Sequence, residues 1–117
     1  MKTFVLVLDD NLRILDIVKK GLDKERYTVV AYSDPSEALK YFQESSLKYN
    51  LILTDIEMPV MTGFEFIEKA LKIAPGIKTI GMSGSKNIDL HKDRFNNFIE
   101  KPFGITQLRK VIADTLL

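Results

Sequence analysis

Two short apolar runs in this sequence end in acidic residues, and this feature constrains the fold more than any other. Residues 4–8 are followed by Asp9 and Asp10, and residues 51–54 are followed by Asp55. Short apolar runs of this kind are typical of buried strands in a parallel sheet. Residues just past such strands lie at the carboxyl edge of the sheet, where open α/β folds bind their ligands. We therefore expect three carboxylates to meet at one edge of a sheet.

Three carboxylates at one sheet edge predict a site for a hard divalent cation. Two such charges in contact repel each other by about 4 kcal/mol at an effective dielectric constant of roughly 20. A bound cation that prefers oxygen ligands relieves this repulsion. Asp9, Asp10 and Asp55 are therefore candidate metal ligands before any family is considered.

Length and composition indicate one compact domain covering residues 1–117. The chain has 117 residues, of which 45% are apolar, and this is enough for one hydrophobic core. The formal net charge is only +1 and the basic residues are scattered, so neither nucleic acid nor an anionic membrane is an expected partner. The absence of cysteine, of a signal peptide and of a long apolar span favours a cytoplasmic protein.

The hydrophobic period alternates between continuous short runs and helical spacing, which is typical of repeated βα units. Strands are predicted at residues 4–8, 28–32, 51–54 and 77–82, with a fifth marked by Phe95, Phe98 and Ile99. Asp34 and Pro35 form a helix start after the second strand. A third helix is predicted to begin near Gly63 and to bury Phe64, Ile67 and Leu71. Right-handed crossovers then give a doubly wound parallel sheet of five strands in the order 2-1-3-4-5.

The segment between the fourth and fifth strands is the least readable part of the chain. Residues 83–94 contain few large apolar side chains, and Gly84 and Asn87 favour turns. We expect a loop or one or two helical turns, so the fourth helix of the βα series is predicted to be short or irregular.

Four motifs in order along the chain resemble those of the response-regulator receiver domain. They are Asp9-Asp10 after strand one, Asp55 within Thr54-Asp55-Ile56-Glu57-Met58-Pro59 before Gly63, Ser83 after strand four, and Lys101-Pro102-Phe103 after strand five. The resemblance spans the whole chain and implies the flavodoxin-like fold.

The resemblance implies a chemistry for the acidic cluster. Asp55 takes the place of the phosphoacceptor, which attacks a phosphohistidine of a sensor kinase or a small phosphodonor. Mg²⁺, with Mn²⁺ as a substitute, is implied to bind Asp10 and Asp55 directly, Asp9 through water, and the backbone carbonyl of Glu57.

Three further residues take family roles beside this cluster. Lys101 resembles the cation that pairs with Asp55 and then with a phosphoryl oxygen, after a Lys-Pro bond that is usually cis in the family. Ser83 resembles the hydroxyl that donates to another phosphoryl oxygen. Phe98, three residues before the lysine, is implied to be the aromatic switch, and it lacks the hydroxyl of a tyrosine. Arg94 and Phe95 replace residues that are often Gly and Ala in the family, which predicts local repacking.

The resemblance also implies partners. A sensor histidine kinase or a phosphotransfer protein is expected to supply the phosphoryl group, and a separate protein is expected to receive the signal unless this chain is a fragment of a longer one. In this role the protein promotes its own phosphorylation and dephosphorylation and is not a turnover enzyme.

Simpler interpretations of the same residues stay open. Asp10 or Asn11 taken alone fits a helix cap, while Ser83 and Lys101 taken alone fit a turn residue and a solvated lysine. A phosphohydrolase of the haloacid dehalogenase type also uses an aspartate nucleophile after a strand, but this chain has Glu57 where that family has a second aspartate. A receiver-like interaction domain that is never phosphorylated is the third possibility.

Overall fold

The computed structural model describes residues 2–84 and 92–117. Within them, five strands alternate with four α-helices, in the order β1 (Thr3–Leu8), α1 (Leu12–Gly21), β2 (Tyr27–Tyr32), α2 (Pro35–Ser45), β3 (Leu51–Asp55), α3 (Gly63–Ile73), β4 (Lys78–Ser83), β5 (Asn97–Glu100) and α4 (Ile105–Leu116). Single 3-10 turns cover Ser46–Lys48 and Lys92–Arg94. No helix of these residues is long and apolar enough to cross a membrane.

The strands form one parallel sheet in the order β2-β1-β3-β4-β5, as the sequence predicted. The register pairs Leu8 with Thr54, and Asp55 with Met82. Strands β1, β3 and β4 therefore end close together, and the residues that follow them share one edge. This edge carries the predicted site.

Apolar side chains cover both faces of the sheet, which explains the continuous apolar runs of the central strands. One face packs against α2 and α3 through residues such as Phe42 and Phe66. The other face packs against α1 and α4 through residues such as Val18 and Leu108. The fold is thus doubly wound, with β3 at the centre of the sheet between β1 and β4.

Polar side chains fix where three of the helices begin. Asn11 Oδ1 accepts a hydrogen bond from the backbone of Arg13 at 2.9 Å, so Asn11 and not Asp10 caps α1. Asp34 caps α2 with Pro35 at its first position, as predicted. The sequence prediction did not include the capping box of α3, in which Thr62 and Glu65 exchange hydrogen bonds.

The buried face of α3 differs from the prediction. Phe66, Ile67 and Ala70 are buried, while Phe64 and Leu71 are only half-buried and pack at the margin of the core. The helical spacing was recognised correctly, but its apolar stripe was placed about one residue away from the observed one.

Aromatic side chains pack together just before and along β5. Phe95 is buried just before β5 and contacts the rings of Phe64 and Phe98 at centroid distances of 5.4 and 6.0 Å. Gly81 of β4 makes room for this cluster, because a Cβ there would lie 2.8 Å from the ring of Phe98. Glycine in the strand interior is therefore matched to an aromatic neighbour.

The short or irregular helix that was predicted between β4 and β5 involves residues that lie mostly outside the described part of the chain. Within residues 83–94, only the end of β4, Gly84 and the turn at Lys92–Arg94 are described.

Candidate functional site

The three acidic residues predicted from the sequence lie together at the carboxyl edge of the sheet. One carboxylate oxygen from each of Asp9, Asp10 and Asp55 lies within 4.8 Å of the other two. Asp9 is completely buried, Asp55 is 6% exposed, and Asp10 is exposed. The cluster therefore has a buried base formed by Asp9 and Asp55 and an open side formed by Asp10.

Lys101 supplies the cation of the site. Its Nζ donates to Asp9 Oδ2 at 2.7 Å and lies 3.4 Å from Asp55 Oδ1. The resemblance implied a pair between Lys101 and Asp55, but the shorter contact is with Asp9. The bond between Lys101 and Pro102 is cis, as the resemblance implied, and the Lys101 backbone donates to the Ser83 carbonyl at 2.8 Å.

Both carboxylate oxygens of Asp9 accept hydrogen bonds, which the sequence alone did not indicate. Oδ2 accepts from Lys101, and Oδ1 accepts from the backbone N–H of Asn11 at 2.9 Å. Asn11 in turn caps α1. Asp9 thus ties the start of α1 to the lysine that follows β5.

The loop that follows β3 is held by backbone contacts close to Asp55. The Ile56 N–H donates to Met82 at 3.0 Å, and the Gly63 N–H donates to the Ile56 carbonyl at 2.9 Å. A Cβ on Gly63 would collide with the carbonyl oxygen of Asp55, so only glycine fits at the start of α3. Val60, in the same loop, is 94% exposed and has a φ of 72°, an uncommon conformation for a β-branched residue.

Ser83 and Glu57 lie on the β4 side of the site. Ser83 is 2% exposed, and its hydroxyl donates to Glu57 Oε1 at 3.4 Å, which is a long hydrogen bond. Glu57 itself is exposed. The sequence had suggested Glu57 for its backbone carbonyl, whereas the structure also brings its side chain to the hydroxyl.

Burial and like charge act on the protonation of Asp55. Burial, and then the negative charge of Asp9, raise the pKa of the Asp55 carboxyl to about 6, although Lys101 offsets part of the rise. Burial lowers the pKa of the Lys101 ammonium, but the hydrogen bond and charge of Asp9, together with the charge of Asp55, outweigh it and hold that pKa above its usual value. Lys101 is therefore a permanent cation, while Asp55 is a buried carboxylate whose charge Lys101 only partly offsets.

Phe98 is half-buried on β5 and packs among aromatic and glycine neighbours. Its ring lies edge-on to Phe95 and above Gly81, which is the register partner of Phe98 on β4. The ring therefore lies beside β4, at the level of the residue that precedes Ser83 by two positions.

The donor set fits a small divalent cation. Three carboxylate oxygens converge within 4.8 Å, and hard cations such as Mg²⁺ bind oxygen ligands of this kind. In the described residues, Lys101 is the ammonium group that contacts the cluster, so the three carboxylates keep a net negative charge without a metal.

Comparison with known proteins identifies the family. A family model described as the response regulator receiver domain matches residues 5–113, nearly the whole chain. The chain belongs to this family, and it is the receiver domain of a two-component response regulator.

Individual relatives agree in sequence and in fold. The response regulator receiver protein CpdR of Brucella abortus is 31% identical over 121 residues, which cover 100% of this chain and 98% of that protein. The chemotaxis response regulator CheY4 of Vibrio cholerae has a similar structure, with a TM-score of 0.88, 26% identity, and coverage of 99% of this chain and 100% of that one. By contrast, this chain spans only 18% of the putative two-component response regulator ARR21 of Arabidopsis thaliana, which is 30% identical over 113 residues. Receivers of this kind thus occur both nearly alone and as parts of much longer proteins.

Proposed function

We propose that the protein accepts a phosphoryl group on Asp55 from a phosphohistidine of a sensor histidine kinase or phosphotransfer protein, or from a small phosphodonor. One observation carries this proposal. A buried aspartate at the end of a strand lies against two further carboxylates, with a lysine ammonium 3.4 Å from its Oδ1. This combination offers an oxygen nucleophile together with positive charge for an anionic donor.

The proposed step is a displacement at phosphorus. An oxygen of the Asp55 carboxylate attacks, so a new P–O bond forms while the P–N bond of the phosphohistidine breaks. The electron pair of that bond stays on the departing imidazole, and the product is an acyl phosphate. Because the pKa of Asp55 is about 6, its carboxylate is ionised and nucleophilic above neutral pH.

Two side chains beside Asp55 are suited to the transferred group. Lys101 is already held within 3.4 Å of Asp55, so its ammonium can pair with one phosphoryl oxygen without a large movement. Ser83 holds its hydroxyl at the same edge, where it contacts Glu57 over 3.4 Å. If the Ser83 hydroxyl donated its hydrogen bond to a phosphoryl oxygen instead of to Glu57, the reaction would be coupled to the end of β4.

Asp9, Asp10 and Asp55, with the backbone carbonyl of Glu57, are the proposed ligands for Mg²⁺, or for Mn²⁺ as a substitute. The bound ion would neutralise negative charge on the phosphoryl group during transfer. Among the three aspartates Asp10 is the exposed one, and it leaves an open side for the phosphodonor.

The proposed output is a change in the surface presented to a partner protein, and not turnover of a substrate. The relatives support a role in two-component signalling, in which receivers act beside kinases in the cytoplasm.

The test is phosphorylation by a small donor. Purified protein incubated with acetyl phosphate and Mg²⁺ should gain the mass of one phosphoryl group on Asp55. Asp55→Asn should abolish the gain because it keeps the shape of the side chain and removes the nucleophile. Asp114→Asn, at an exposed position on α4, is the matched control and should be modified like the parent.

Two results would contradict the proposal. Full modification of Asp55→Asn would place the phosphoryl group elsewhere. Multiple turnovers of a generic phosphatase substrate by the parent would instead favour a phosphohydrolase.

A further inference from the structure

The edge of the sheet opposite the acidic site carries a cleft rich in lysine. Helix α1 runs back from the carboxyl edge to the amino edge, so its last turn lies near the starts of β1 and β2. Four basic residues, three of them within residues 19–24, line one cleft there of about 610 Å³: Lys2, Lys19, Lys20 and Lys24. Its size lies within the range of about 300 to 1,000 Å³ seen for ligand clefts.

Most of the positive charge in this cleft is not neutralised by the chain itself. Lys20 pairs with Asp16 at 3.0 Å, and Asp16 is the acidic residue in the lining. In the described part of the chain, no ion pair is recorded for the other three lysines. The nearby Asp23 does not line the cleft, and its side chain accepts from the Glu25 backbone at 2.9 Å. The cleft therefore carries an excess of about three positive charges at neutral pH.

Stabilisation of α1 explains only part of this arrangement. Lys19 and Lys20 lie in the last turn of the helix, where cations interact favourably with the helix dipole. Lys2 and Lys24 lie outside any helix, before β1 and β2, so the dipole does not account for them.

The wall formed by β2 is apolar and borders an open strand edge. Leu22, Tyr27 and Val29 contribute apolar surface to the lining. The outer edge of β2 pairs with no other strand within residues 2–84 and 92–117. Strand β2 contains neither a charged residue nor a proline, which are common means of blocking an exposed edge.

We propose that this cleft binds an extended acidic segment of a partner protein, which pairs with the outer edge of β2 and sets its carboxylates against Lys2, Lys19 and Lys24. An edge strand beside a small basic cleft suits a peptide that adds a strand, because backbone hydrogen bonds supply affinity and the cleft selects side chains. A nucleic acid is less suited, since the net charge of the chain is only +1 and the cleft walls are partly apolar. This inference does not depend on phosphorylation of Asp55.

The test uses a defined peptide probe. A fluorescein-labelled ten-residue peptide of alternating Glu and Val should bind the full chain in anisotropy titrations, with an affinity that falls as salt rises. The double variant Lys19→Gln, Lys24→Gln should weaken binding at least about tenfold, which corresponds to about 1.4 kcal/mol. The control pair Lys69→Gln, Lys72→Gln removes the same charge from exposed positions on α3 and should change the affinity less than twofold.

Three comparisons complete the test. A peptide with Gln in place of Glu should lose binding, and a Glu-Val peptide N-methylated at every residue should lose it as well, because neither of its edges can then pair with β2. Acetyl phosphate modification of the double variant should match the parent, since Lys19 and Lys24 lie at the opposite edge from Asp55. In urea unfolding the double variant should lose no more stability than the control pair, because Lys19 and Lys72 each lie in the last turn of a helix.

The proposal is overturned if the parent shows no binding up to about 1 mM peptide, which is a free energy weaker than about −4 kcal/mol. Equal losses in the two lysine pairs would also overturn it, as would undiminished binding of the N-methylated peptide. Equal affinity for single-stranded DNA of the same charge would show a general polyanion site instead.

Discussion

Replacing Asp55 by Asn should stabilise the metal-free protein, and the gain should depend on pH. The pKa of Asp55 is raised from an ordinary value of 3.8 to about 6 in the folded state. A carboxyl group with a raised pKa binds its proton more tightly in the folded chain than in the unfolded chain. Folding stability from this group is therefore present at low pH and is lost as pH rises from about 4 to about 6.

The magnitude follows from the size of this shift. About two pKa units correspond to roughly 3 kcal/mol of destabilisation once Asp55 is ionised in both states, above about pH 7. Near pH 4.5 the same group destabilises the fold by only about 1 kcal/mol. The neutral amide of Asn removes this destabilisation. Burial of its N–H groups near Lys101, however, costs about 1 kcal/mol of stability. We therefore expect Asp55→Asn to be more stable than the parent by about 2 kcal/mol at pH 7.5, with little difference at pH 4.5.

Urea unfolding of parent and variant, with chelator present and at several pH values, measures this difference directly. Asp114→Asn is the control, because its side chain is exposed and its effect should stay within about 0.5 kcal/mol at every pH. A variant that is less stable than the parent near pH 7.5, or a difference in stability that does not change with pH, would refute the conclusion that ionised Asp55 destabilises the metal-free fold.

Three further predictions concern the same site. Mg²⁺ at ten times its dissociation constant should raise the free energy of unfolding by about 1.4 kcal/mol, and Asp10→Asn should lose most of this response; thermal scans that show no effect of Mg²⁺ on the parent would argue against the metal site. Lys101→Ala should lower the metal-free stability by about 3 kcal/mol, because it leaves the buried charge of Asp9 without its partner; a loss below about 0.5 kcal/mol in urea unfolding would show that the pair adds little. Glu57→Ala should change the rate of dephosphorylation by more than about threefold, roughly 0.7 kcal/mol in the barrier, because its side chain contacts Ser83; equal decay of the acyl phosphate in both proteins would remove Glu57 from this step.

The fold could be predicted largely from hydrophobic period and strand ends. The central strands are buried on both faces, so they appear in the sequence as continuous apolar runs, and the acidic residues that follow them mark the carboxyl edge. The exact buried stripe of α3 was missed because Phe64 and Phe66 are equally apolar. Which of the two is buried depends on how α3 packs on the sheet: Phe66 lies in the core, while Phe64 lies at its margin against Phe95, a residue from a distant part of the sequence.

The site was predicted at the level of which residues meet, but not at the level of which atoms pair. Strand order brings Asp9, Asp55 and Lys101 together, and this order can be inferred from the sequence. The choice of Asp9 as the nearer partner of Lys101 depends on distances of a few tenths of an ångström, which no sequence spacing encodes. The lysine cleft was missed for a related reason, because its residues are gathered by the return of α1 to the amino edge.

The unequal environments of Asp9 and Asp55 give the two carboxylates different uses. Asp9 has one oxygen hydrogen-bonded to Lys101 and the other to the backbone of Asn11, so both oxygens of its carboxylate take part in contacts that hold the fold together. Asp55 lies beside that charge, is nearly as buried, and has the longer contact with Lys101, which leaves it with the raised pKa. Neighbouring titratable groups whose environments differ in this way commonly divide structural and chemical roles between them. A site that compensated both carboxylates equally would be more stable without metal, but it would have less to gain from a bound cation, which the added negative charge of an acyl phosphate also calls for. The incomplete compensation of Asp55 is thus the physical link between the electrostatics of this fold and the proposed phosphoryl transfer.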